Sequence, residues 1–168
     1  MARVDITQDR VLQAVVARLR KELTLDEASC YLTFSPLVPP TVQPGGDWYV
    51  NVSPGQSEFD EGMQIGGGQE QLMEDMLVRV TAFVRMRLDR AERDDRMLLE
   101  GVRGLTQVKL KILKALVAHD LVDPKLESNV FLRQLVVAAS ADKPDYDEEK
   151  AIGWQTINFR VAFDWDLT

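Results

Sequence analysis

The residues most able to do chemistry sit in one short stretch, IGGGQEQ, where Gly66, Gly67 and Gly68 follow one another. A glycine-rich loop holds phosphate when it leads into a helix N-terminus, whose free N–H groups and dipole attract the anion. One form of that loop also needs Gly-Lys-Ser/Thr; the dinucleotide form needs a strand before it, GxGxxG, and a helix after it. Here the glycines are followed by Gln69, Glu70 and Gln71, then by Glu74 and Asp75, and the next pattern is that of a strand. Carboxylates in those positions repel phosphate. A small nucleotide-binding or enzymatic module on Gly66–Gly68 is therefore the second reading. The first is a polar, glycine-rich segment that orders when a partner docks, since each glycine has much backbone freedom to lose. A loop with no role is the bland alternative.

The remaining reactive side chains point to no catalysis. His119 is the one histidine, with Asp120 and Asp123 beside it, and it reads as a helix C-terminal residue whose charge suits the dipole. Cys30 is the one cysteine, in an apolar run, and reads as a buried structural thiol. The acids Asp142, Asp145, Asp147, Glu148 and Glu149 lack the spacing and the glycine of a calcium loop and read as a solvated turn. No catalytic residue, cofactor or metal ligand is expected.

At 168 residues the chain is read as one domain, residues 1–168, with 45% hydrophobic and 28% charged residues. A net charge of −7 argues against general nucleic-acid binding, which relies on excess Lys and Arg. MARVDITQDR lacks the apolar segment of a secretory signal, and no run approaches the ~18 apolar residues that span a membrane. A cytoplasmic or particle-associated protein is expected.

The elements that would position these residues come from periodicity. Val11, Leu12, Val15, Val16, Leu19 and Leu23 make one face of a helix over 7–23. Cys30 to Phe34 reads as a short strand, and SPLVPPTVQPGG as a loop. Asp47 to Ser53 is a strand with Trp48, Val50 and Val52 on one face. About 54–72 reads as a long mobile loop containing Phe59, Met63 and Ile65. Loops of that length are usually functional or mobile. Val78, Val80, Ala82, Val84, Met86 and Leu88 then alternate with Arg79, Thr81, Phe83, Arg85 and Arg87. This is a long strand with one buried face, expected to project beyond the body. From Asp94 or Asp95 a short helix, a kink at Gly101 and Gly104, and a main helix to about His119 are expected, with an apolar stripe at Leu105, Val108, Ile112, Leu113, Leu116 and Val117. Val130–Ala139 reads as a strand, 140–153 as an acidic loop, and TINFRVAFDWDL as a second long strand. The order favours an α+β domain: a mainly antiparallel sheet with long β-hairpin arms and helices packed on one face.

Seven arginines fall between 79 and 103. Arg79, Arg85 and Arg87 share the polar face of the first long strand, and Asp164 and Asp166 that of the second. Two uses are open. The charges pair within the chain if the strands adjoin, or they fix register between copies of it.

Taken together, ITQDRVLQAVVARL, DWYVNVSPGQ, MLVRVTAFVRMRLD, VKLKILKAL and WQTINFRVAFDWDL cover most of the chain. In pattern and spacing they resemble the tail terminator (tail-completion, neck) proteins of bacteriophages and prophages. The resemblance implies a homohexameric ring that caps the tail tube and faces the head–tail connector, and it implies no catalysis. Phe59, Met63, Ile65, Gly66, Gly67 and Gly68 would then dock on the tube protein, and Arg79, Arg85, Arg87, Asp164 and Asp166 would hold neighbouring subunits. Partners would be further copies, the tube protein and the connector, with no membrane and no sequence-specific nucleic acid, in the virion tail or the host cytoplasm during assembly.

Overall fold

In a computed structural model, residues 8–37, 46–60, 71–85, 95–117, 120–122, 131–147 and 149–166 are described. Two helices, α1 (Gln8–Leu23) and α2 (Asp95–Leu116), accompany eight strands. These are β1 (Cys30–Leu32), β2 (Trp48–Asp60), β3 (Gln71–Arg85), β4 (Asp120–Val122), β5 (Phe131–Leu135), β6 (Val137–Ala141), β7 (Asp145–Asp147) and β8 (Ile152–Asp166). Six strands form one sheet in the order β1-β2-β3-β8-β6, with β7 also on β8, while β4 and β5 pair separately. Every pairing in the large sheet is antiparallel except β1 with β2. This is the α+β class expected.

Alternation sets the core. On the helix face, rows run across three strands: Val50–Ala82–Gln155, Val52–Val80–Ile157 and Pro54–Val78–Phe159. Val11, Val15 and Leu19 of α1 and Val108, Ile112 and Leu116 of α2 lie in the same buried cluster as Val52, Val80, Ile157 and Phe159. Fully burying a side chain of this size contributes about 1.5–3 kcal/mol, so the two stripes hold the helices to one face.

Four expectations need correction. Residues 54–60 are not loop: β2 continues to Asp60 through a register shift between Pro54 and Ser57, and β3 starts at Gln71. Their polarity hid a strand because ladder hydrogen bonds do not require apolar side chains. Helix α2 runs unbroken through Gly101 and Gly104. A Cβ at Gly104 would come within 3.3 Å of Val84 Cγ1, so this glycine serves the close approach of helix to sheet. The strand expected over 130–139 is two strands in two sheets, divided at Val136, which bridges in parallel to Val117. The acidic loop expected over 140–153 contains β7, hairpinned onto β8 by Asp147, whose carboxylate accepts the Lys150 N–H at 3.1 Å.

Two backbone positions carry local constraints. Helix α1 ends in a left-handed residue, Thr24 (φ 54°), with the Leu25 N–H donating to Arg20 O at 3.0 Å. Glycine is the usual occupant of that position, because a β-branched residue is strained there. At the β2 bulge, a Cβ on Gly55 would lie 2.7 Å from Leu77 Cβ and 2.9 Å from Leu77 O, a contact with backbone that cannot be relieved by a rotamer.

Thr24→Gly should raise stability by about 0.5–1 kcal/mol, and Gly55→Ala should lower it by about 1–3 kcal/mol; urea unfolding followed by circular dichroism measures both.

Candidate interface surfaces

Strands β2, β3 and β8 remain paired to their far ends, past the register shift in β2. Three rows finish this three-stranded arm: Glu58–Asp75–Ala162, Phe59–Glu74–Phe163 and Asp60–Met73–Asp164, and Gln71 pairs with Asp166 beyond them. The arm is thus more than a hairpin. Its middle strand, β3, has a partner on either side along most of its length. Phe59 is 55% exposed.

Helix α1 braces the arm through a polar contact. The Gln8 side-chain amide donates to Ser57 Oγ at 3.2 Å and to Glu74 Oε1 at 2.5 Å, and Glu74 is fully buried. A carboxylate held at the first residue of a helix also meets the positive end of the helix dipole. Glu74 was not anticipated as a structural residue. The signal was there: it occupies the core-facing parity of Met76, Val78 and Val80, where a carboxylate needs a donor.

On the opposite face of the sheet, aromatic rings stack across three strands. Tyr49 and Phe83 have centroids 4.7 Å apart at 10°, and Tyr31 and Tyr49 lie at 6.3 Å and 27°. Burial raises both tyrosine hydroxyls above their ordinary pKa, with the Arg85 charge opposing the shift at Tyr49. The next row is polar: the Thr81 and Thr156 hydroxyls are 2.9 Å apart, and Asn51 Nδ2 donates to Pro36 O at 2.6 Å. That last bond pins the turn after β1. Thr33 N–H also donates to Val52 O at 2.9 Å, and Thr33 Oγ1 to Ser35 O at 2.7 Å. The pinned turn presents Phe34, 96% exposed, between the exposed side chains of Leu32 and Leu37. Sequence reasoning passed over this turn, because nothing in its composition separates a presented phenylalanine from one folded back on the sheet.

The charged residues expected to act together are placed apart. Arg79 stands between Ser53 and Asn158, and Arg85 opposite Ile152, with its N–H on Asp47 O at 2.8 Å. Asp164 and Asp166 pair with Met73 and Gln71 at the other end of β3. Antiparallel register therefore excludes pairs of Arg79 and Arg85 with Asp164 and Asp166 within one chain, the first of the two uses left open. The ion pair that forms across these strands is Arg160 with Asp75, at 3.3 Å. It is half exposed and contributes a few tenths of a kcal/mol. Nor can β3 offer a free edge to a neighbouring copy. Arg87, Met63, Ile65, Gly66, Gly67, Gly68 and His119 lie outside the described residues.

Burial pushes the Cys30 thiol up to about 12, against the opposing pull of Arg20, whose guanidinium donates to the Cys30 carbonyl at 3.0 and 2.8 Å. Among the described residues no group of three or more His, Cys, Asp or Glu side chains is placed to hold a metal ion. No described helix is long and apolar enough to cross a membrane.

No family model matches the chain, and no curated protein matches it. Among solved structures, a chain from the virion of a native gene transfer agent (GTA) particle is similar, with a TM-score of 0.42 and 18% sequence identity over 88% of this chain and 92% of that one. The likeness is one of general layout and assigns no role to any residue.

A thiol reagent at pH 8 should label Cys30 at least about a hundredfold more slowly in the folded chain than in denaturant, because the thiolate is scarce and covered; mass spectrometry of the labelled protein against time reads the ratio.

Proposed function

We infer that this chain is a structural component of a phage-like particle that acts by binding and carries out no catalysis. Its more specific role, on this reading, is that of a tail terminator: a ring, hexameric by the resemblance, that caps the tail tube and meets the head–tail connector. The observation that carries the reading is the presentation of apolar side chains on rigid scaffolding. Phe34 stands out from a turn held by three hydrogen bonds, and Phe59 from the end of a three-stranded arm. Exposed aromatics held in place mark surfaces that are covered in an assembly. Phe59, one residue of the expected docking segment, belongs to the arm, and on this reading the pinned turn adds a second contact surface.

The reading also accounts for an acidic chain in such a particle, since protein surfaces rather than DNA would be its partners. The virion tail, or the host cytoplasm during assembly, is where it would reside.

Mixing the chain with a tail tube protein should give annular densities seated on tube ends in negative-stain micrographs, and Phe34→Ser together with Phe59→Ser should cut tube-end occupancy by roughly tenfold or more. Uncapped tubes and a monomeric chain by light scattering, at the highest soluble concentration, would defeat the proposal.

A further inference from the structure

Carboxylates gather at the arm end of the sheet, and bases gather on α2. At the arm end, residues 54–60, 71–78 and 160–166 carry six carboxylates, and their one basic residue is Arg160, which is taken up by Asp75. Backbone register brings Glu58, Asp60 and Asp164 into neighbouring rows, with Asp166 just beyond. At the other end the sheet itself carries acids, with Asp145 and Asp147 of β7 opposite Trp154 and Ile152, and the bases belong to α2 on the helix face. Between Val102 and Leu116 α2 contains no acid and four bases. Arg103, Gln107, Leu110 and Lys114 are exposed there, and Leu110 is 52% exposed. Spacings of four, three and four residues put these four on one stripe of the helix. Helix α2 is anchored at this end: Gly104 packs on Val84, and Lys111 Nζ lies 5.4 Å from the Trp48 ring centroid. Trp48 and Val84 are register partners, twelve β2 residues from Asp60. That places the two charged regions about 40 Å apart along the sheet, so one subunit does not satisfy them internally.

We propose that the acidic arm end of one copy docks on the basic stripe of α2 in the next, through the sheet face that carries Glu58, Asp60 and Asp164. The occupant of each surface is a second copy of this chain, and charge complementarity identifies it. Because the two surfaces differ, the contact is heterologous, and repeating it closes a ring or extends a filament. This inference rests on the ring reading above and supplies its lateral contact. On this proposal the contact uses Glu58, Asp60 and Asp164 on one side and Arg103 and Lys114 on the other.

Two charge-reversed chains test it: Glu58→Lys with Asp60→Lys, and Arg103→Glu with Lys114→Glu. Circular dichroism and thermal melting confirm that each is folded. By sedimentation velocity at low salt the native chain should self-associate, each variant alone should associate roughly tenfold or more weakly, and a mixture of the two should recover the native value within about threefold, because each altered arm then meets a complementary α2. High salt should weaken the native association. If native rings form but reversal leaves them unchanged, or the mixture is no better than its components, the proposed contact is wrong and the ring reading survives. If the native chain does not self-associate at low salt, alone or on a tube protein, the two fall together.

Discussion

Each of the 15 residues of β3 has a register partner in β8, and β2 takes its other side. That double pairing of one alternating strand is the constraint from which the rest follows. It aligns valines, isoleucine and phenylalanine into rows that the stripes of α1 and α2 cover, and so places both helices on one face. A slip of one residue would turn Met76, Val78, Val80 and Ala82 away from the helices and bring Leu77, Arg79, Thr81 and Phe83 under them. A one-residue slip therefore buries no comparable apolar set, and the same pairing continues to the end of the arm.

The exceptions to that apolar pattern are where the arm is tied down. Glu74 occupies a core position and is satisfied by Gln8 at the start of α1. A buried carboxylate left without such a donor would cost several kcal/mol, so the contact couples the position of α1 to that of the arm. Gly55 acts in the same region through volume, since its missing side chain lets β2 shift register against Leu77. Together they let a strand leave the body of the sheet while one end remains braced.

Assembly would use surfaces left over after this internal pairing. The backbone of β3 is consumed on both sides, so contacts between copies would use other surfaces, among them the arm end, the pinned turn carrying Phe34 and the outer stripe of α2. These surfaces are chemically unlike one another: an acidic end, an aromatic knob and a basic helix. Unlike surfaces favour directional, head-to-tail arrangements over twofold dimers.

Period-two alternation from Val78 to Leu88 and across TINFRVAFDWDL announced two long strands, and helical spacing at Val11, Val15 and Leu19 and at Leu105, Val108 and Ile112 announced the helices. The α+β class with helices on one face followed from those patterns, since burial imprints its own period on a chain. The polar continuation of β2 through Ser57, Glu58 and Asp60 left no such imprint, because backbone hydrogen bonds extend a strand without regard to side-chain polarity. The same holds for charge. Arg79 and Arg85 share strand parity, and so do Asp164 and Asp166, which reads as a set of partners until antiparallel register sends the two groups to opposite ends. Parity belongs to one strand and is visible in its residues. Which residue stands opposite which belongs to the pair of strands, and only folding sets it.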